Sequence, residues 1–139
     1  FGVIAYSRGL YDLTTLIVII IGAMVTYLWF NVPPAKFYMG ETGILGLTAT
    51  LAVIAFLTNS VLLLPVMGMV LVVEALSVII QLISKKMRNG KKVFLAAPIH
   101  HHFEAKGWSE SQITMRFWII SAIFSGLGLI LYFLSKFLY

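Results

Sequence analysis

The sequence predicts an all-α, polytopic membrane protein with four transmembrane helices and a structured cytoplasmic loop. Of its 139 residues 60% are hydrophobic and 11% charged, with mean hydropathy +0.99, whereas a soluble domain carries about a quarter charged residues. Four stretches approach the roughly 20 apolar residues that a spanning helix needs. Nothing alternates in the manner of barrel strands, so helices, which close their own backbone hydrogen bonds, are the structure that lipid favours.

The four predicted spans are residues 13–30, 43–58, 61–83 and 117–138. The first is uncharged throughout. The second is shorter and rich in Gly, Ala and Thr, as expected of a helix packed closely on neighbours. The third is long enough but carries Glu74, Ser77 and Gln81, and the fourth offers Ser121, Ser125, Gly126 and Gly128 as a small-residue packing face. That last helix has a start signal upstream of its apolar run. Ser109 is placed to N-cap it, Gln112 to reach back in a capping box, and Trp108 and Ile113 occupy the two staple positions. Arg116 and Trp118 then fall at the interface, where snorkelling and aromatic anchoring are favourable.

Alternation of sides puts loops 31–42 and 84–116 together, and Asn59-Ser60 with both chain ends opposite. Lys36, Lys85, Lys86, Arg88, Lys91, Lys92, Lys106 and Arg116 all lie on the first side, eight of the ten basic residues. By the positive-inside rule that side is cytoplasmic. The net charge of +5 therefore speaks for loop orientation and anionic headgroups, not for nucleic acid. There is no cysteine, which excludes disulfides and thiolate zinc sites. The opening Phe1-Gly2-Val3 is not the basic start of a signal peptide, and the chain reads as one piece of a larger membrane protein.

Three polar features stand out. His100, His101 and His102 sit within Pro98-Ile99-His100-His101-His102-Phe103-Glu104, and imidazoles supply donors, acceptors and metal ligation near neutral pH. Adjacent residues diverge by about 100° on a helix, so at most two share a target. Glu104 stands four residues after His100, where it is placed to orient that ring; a solvated polar loop is the plainer alternative. Next, Pro33-Pro34-Ala35-Lys36-Phe37-Tyr38-Met39-Gly40-Glu41-Thr42-Gly43 leads into a span. Glu41 at its helix start is either a partner of the helix dipole or an oxygen ligand for Mg²⁺. Gly40 and Gly43 permit close backbone approach. Finally, Glu74, Ser77, Gln81 and Lys85 fall within about 60° on a helical wheel. That stripe serves either interhelical hydrogen bonds or a lipid-substrate groove, while Lys85, Lys86, Arg88, Lys91 and Lys92 most simply meet anionic headgroups.

Phe30-Asn31, Pro34-Ala35, Tyr38-Met39-Gly40-Glu41-Thr42-Gly43, Glu74, Ser77, Gln81, the Pro98 to Glu104 run, Gly107-Trp108 and Arg116-Phe117-Trp118 together resemble the phospho-N-acetylmuramoyl-pentapeptide transferase family. The resemblance runs from about Asp12 to the end and looks like the last four of that family's ten helices. It implies a multi-pass protein of the bacterial cytoplasmic (inner) membrane, with missing N-terminal helices of the same protein as partners. The reaction implied is transfer of phospho-MurNAc-pentapeptide from UDP-MurNAc-pentapeptide to undecaprenyl phosphate. Lipid I and UMP result, with Mg²⁺ as cofactor, in peptidoglycan synthesis at the bilayer surface. Glu41 aligns with the family's metal-binding Asp, and His100, His101 and His102 align with its histidine motif, read as contacts to substrate phosphate or nucleotide with no base assigned. Two departures are plain: Glu stands for Asp at position 41, and Ile44 stands where the family has Ser. The paired Asp residues of the family's earlier helices are absent from this chain, so this piece is not expected to catalyse alone. A homodimer is compatible with this picture.

Three alternatives stay open. The chain is another polyprenyl-phosphate sugar-1-phosphate transferase, a membrane metal-ion permease subunit with the histidines and Glu74 as its path, or a catalytically dead scaffold.

Overall fold

A computed structural model describes residues 1–31, 35–88 and 90–138. Pro33 and Pro34, which open the second polar segment, lie outside the described residues. Everything regular among the described residues is helical: α1 (Gly2–Ser7), α2 (Tyr11–Asn31), α3 (Glu41–Leu57), a 3₁₀ turn (Val61–Leu63), α4 (Leu64–Met67), α5 (Met69–Met87), α6 (Ile99–Ala105) and α7 (Glu110–Leu138). The chain divides into two compact units, Phe1–Leu64 with Leu129–Tyr139, and Pro65–Gly128.

The long helices form for the reason the composition gives. α2 and α7 carry windows of mean hydropathy 2.2, of which only 6% and 11% are buried within the protein. Helices apolar all round in this way belong in a membrane or among other helices. Among the described residues these two helices alone are both long and apolar enough to cross a membrane unaided. The predicted third span is broken. The axis turns by 79° between Val61–Met67 and Met69–Met87. Pro65 has no N–H to offer the Val61 carbonyl and its ring crowds that turn, and Gly68 then caps α5. α3, at 17 residues, sits at the short end of the spanning range. Four spans are therefore reached only by counting the bent pair as one and α3 as another.

In the first unit a small core of Ala5, Ile17 and Ile54 joins α1, α2 and α3, with Phe1, Leu13 and Ile20 packed against it. The 35–40 segment is tied back to α2, because the Met39 N–H donates to the Tyr27 hydroxyl at 2.9 Å. Gly43 is where close approach is used: a Cβ there would meet Met39 Cγ at 2.8 Å, whereas Gly40 faces open space.

In the second unit the order is α5, a return segment over 91–98, α6 and the start of α7. The predicted start of α7 is observed. The Gln112 N–H donates to Ser109 Oγ and Gln112 Oε1 accepts from the Ser109 N–H, both at 3.4 Å, which is the reciprocal capping box. Ile113 is buried, and Trp108 stacks on Phe103, as described next.

Candidate functional site

α6 is a seven-residue helix carrying all three histidines, and its end is built from the Gly107-Trp108 pair. The Gly107 N–H donates to the Glu104 carbonyl at 2.8 Å and the Trp108 N–H to the Phe103 carbonyl at 3.1 Å. This is a Schellman ending, whose left-handed residue is Gly107 at φ 90°. Its usual apolar contact is present too, since Trp108 stacks on Phe103 with centroids 4.7 Å apart and planes at 18°. The Arg116 guanidinium lies 3.9 Å from the Trp108 ring centre, within the range of a cation–π contact. Trp108 and Arg116 thus brace the histidine helix against α7.

The other side of α6 is held through α5. Gln81 is buried and uses both ends of its amide. Its Oε1 accepts from the Val93 and Phe94 N–H groups, each at 3.0 Å, and its Nε2 donates to the Phe94 carbonyl at 2.9 Å. One turn on, Ser84 Oγ donates to the Lys91 carbonyl at 3.0 Å. Of the predicted polar stripe, Gln81 serves a purpose the wheel did not reveal: with Ser84 it clasps the return segment that delivers the histidines. Ser77 bonds its own helix at the Glu74 carbonyl. Lys85 is exposed, as are Lys86, Arg88, Lys91 and Lys92.

The three imidazoles meet three different partners. His100 Nδ1 lies 2.9 Å from Glu74 Oε2, and His101 Nδ1 lies 2.6 Å from Glu104 Oε2. His102 Nδ1 accepts from the Leu95 N–H at 3.1 Å. The expected pairing of Glu104 with His100 is therefore replaced. His100 reaches across to α5, while Glu104 closes on His101 at i, i+3. In chemical terms the run is divided. A carboxylate beside Nδ1 holds the proton there, leaving Nε2 of His100 and of His101 as a lone pair in the neutral ring. A backbone N–H cannot accept, so His102 Nδ1 carries the lone pair and its Nε2 carries the proton. His100 and His101 lie with centroids 4.1 Å apart at 49°; His102 meets the Phe94 ring edge-on at 5.7 Å.

A cavity of about 380 Å³ opens beside this cluster, lined among others by Glu74, His100, Glu104, Glu110 and Thr114. A second, wholly apolar cavity of about 430 Å³ lies between α5, α6 and α7 at Met69, Phe103, Trp108 and Phe124.

Glu41 belongs to the first unit. It is the first residue of α3, exposed, behind an extended Gly40 that supplies no side-chain cap. Its carboxylate is a hard oxygen donor of the kind Mg²⁺ takes, and Mg²⁺ is bound through one or two carboxylates plus phosphates and water. Among the described residues no three His, Asp or Glu side chains gather on one point.

Residue-by-residue reading found His100, His101, His102, Glu74 and Gln81 but missed Ser84, the Leu95 N–H and the bracing by Trp108. Nothing local signals a bond between positions 74 and 100. Gly107-Trp108 after an aromatic did carry a signal, the C′ glycine followed by an apolar residue.

Residues 1–59 match the family described as glycosyl transferase family 4. The chain is 48% identical over 126 residues to a phospho-N-acetylmuramoyl-pentapeptide-transferase of Pelagibacter ubique, covering 91% of this chain and 35% of the relative. Its counterpart in Dinoroseobacter shibae is 48% identical over 143 residues, covering 92% and 39%. That of Geobacillus thermodenitrificans is 46% identical over 129 residues, covering 93% and 40%. The chain thus spans little more than a third of the length of the relatives it matches.

Proposed function

We propose that this chain, which belongs to the phospho-N-acetylmuramoyl-pentapeptide transferase family, is part of an enzyme that makes lipid I at the cytoplasmic surface of a bacterial inner membrane. Phospho-MurNAc-pentapeptide leaves UDP-MurNAc-pentapeptide for undecaprenyl phosphate. A phosphate oxygen of the lipid bonds to the sugar-bearing phosphorus, the pyrophosphate bond breaks, and UMP departs with the electron pair.

The observation that carries this reading is the division of the histidine run. Phosphoryl transfer asks little covalent chemistry of a protein; it asks for positioning and for donors aimed at phosphoryl oxygens. His102 presents an Nε2–H that donates to such an oxygen. His100 and His101, fixed by Glu74 and Glu104, present an acceptor at Nε2 as neutral rings and a donor as imidazolium. The carboxylates restrain ring orientation, so little ordering remains to be done on binding. Glu41 would hold Mg²⁺ as one ligand, and the ion would neutralise phosphate charge there. The basic residues at 85, 86, 88, 91 and 92 hold the face against anionic headgroups and raise the local concentration of phosphorylated substrates.

The test is an assay of the full-length protein in detergent or nanodiscs with undecaprenyl phosphate, offering UDP-MurNAc-pentapeptide and UDP-GlcNAc in turn. UMP release with the first substrate alone is expected. Equal release with both, or with UDP-GlcNAc alone, would replace this substrate by that of another sugar-1-phosphate transferase.

A further inference from the structure

Gln81 touches none of the three imidazoles, yet the return segment runs from it to His102 in three consecutive N–H groups. Val93 and Phe94 donate to Gln81 Oε1, both at 3.0 Å, and Leu95 donates to His102 Nδ1 at 3.1 Å. We propose that Gln81 is a positioning residue: by clamping 93–94 it presents the Leu95 N–H to His102 and so keeps the His102 proton on Nε2. The proposal rests on the reading of the histidines as phosphate contacts, and its first test needs no substrate.

The chemistry of position 81 is restrictive. The return segment offers two donors and one acceptor at a single point, and a planar amide is the side chain that accepts at one end and donates at the other. Gln81 is buried, 5% exposed, so an apolar replacement leaves the Val93 and Phe94 N–H groups and the Phe94 carbonyl without those partners. These bonds are part-buried, so the freed groups lose three partners at once and regain water only in part. The segment must then shift to find other partners, and the Leu95 N–H moves with it. Ser84 holds only the far end, at Lys91, four residues before Leu95. The Phe94 ring, edge-on to His102, couples the same displacement to the imidazole face. Without the Leu95 donor, either nitrogen of the neutral His102 ring is free to carry the proton.

The experiment is ¹⁵N-histidine NMR of the full-length protein in nanodiscs, with the His102 signals identified by their loss in His102→Gln. In the wild type His102 shows a protonated Nε2 and an unprotonated Nδ1. In Gln81→Leu the two nitrogens are expected to average between tautomers. Gln81→Glu, whose protonated carboxyl accepts from Val93 and Phe94 and donates to the Phe94 carbonyl, should keep the wild-type pattern and guards against a variant that fails to fold. An unchanged His102 tautomer in a folded Gln81→Leu protein overturns the proposal. Turnover gives an independent arm. Gln81→Leu should lower kcat on the order of 10²-fold, the scale of a small misplacement, and should cost little more in a His102→Ala background. Multiplicative losses in the double variant would show that Gln81 does not act through His102. Failure of the functional reading appears separately, as no UMP release by the wild type.

Discussion

At the scale of single residues, three adjacent histidines are made unequal by what each ring nitrogen touches. Two are held by carboxylates and one by a peptide N–H, so in the neutral rings Nε2 is an acceptor on His100 and His101 and a donor on His102. Alanine at His100, His101 and His102 should therefore give unequal losses of turnover, one or two severe and the rest mild. The Mg²⁺ concentration for half-maximal rate should stay unchanged. Equal losses rescued by extra Mg²⁺ would assign the run to the metal instead. Glu41 is argued differently. Its isosteric replacement Glu41→Gln removes the charge and little else. A role limited to the helix dipole is worth about 0.3–1 kcal/mol, which would scarcely alter turnover. Loss of nearly all activity, with the protein still membrane-inserted, is the expected result, and a normal Mg²⁺ response in that variant would take Glu41 out of the metal site. Glu41→Asp should be tolerated where the pocket accepts the shorter ligand.

At the scale of elements, α6 owes its place to its two ends more than to its own length. Seven residues make a marginal helix in isolation, because nucleation is costly and few bonds follow it. Stability comes from the Schellman ending, the Phe103–Trp108 stack and the clasp from α5. Gly107 has open space around it, so Gly107→Ala meets no clash. The cost arises solely from φ 90°, about 1–2 kcal/mol for an L-residue in left-handed space. Thermal unfolding of the purified protein should show that loss, with Gly107→Asn milder than Gly107→Ala because Asn tolerates the region better. An equal or smaller loss for Ala would mean that α6 ends in another way in solution. The break before α5 belongs to this scale as well. Pro65 and Gly68 are ordinary turn-formers in sequence, and their joint effect on the axis is a property of the whole element.

At the scale of the molecule, the long helices are apolar all round. The windows of α2 and α7 have mean hydropathy 2.2 and are barely buried among these residues, which leaves their apolar surface for lipid and for neighbouring helices. Orientation then follows charge. Lys36 and Lys91 are exposed and belong to the loops that carry eight of ten basic residues. In a chain without cysteine, Lys36→Cys and Lys91→Cys in the full-length protein can be labelled by an impermeant maleimide. Both should react only after the inner face is opened, whereas Asn59→Cys should react in intact spheroplasts. Labelling of positions 36 and 91 from outside would reverse the topology and remove the cytoplasmic substrate with it.

The amino-acid order alone determined whatever is local or additive. Helical class and lipid exposure follow from composition. The capping box at Ser109 and Gln112 follows from spacing within one turn, and the histidine run and Glu41 are legible as chemistry because few other residues in the chain offer any. Tertiary structure decided what depends on chain reversal. His100 pairs with Glu74 across 26 positions and Gln81 with Phe94 across 13, and neither pair has a sequence period to announce it. Glu104 was within reach of two histidines, at i, i+3 and i, i+4, and only the direction in which α6 faces α5 chose between them. Which nitrogen of each imidazole holds the proton is set by those partners, so the chemical character of the site was written in the fold and not in the run of three identical residues.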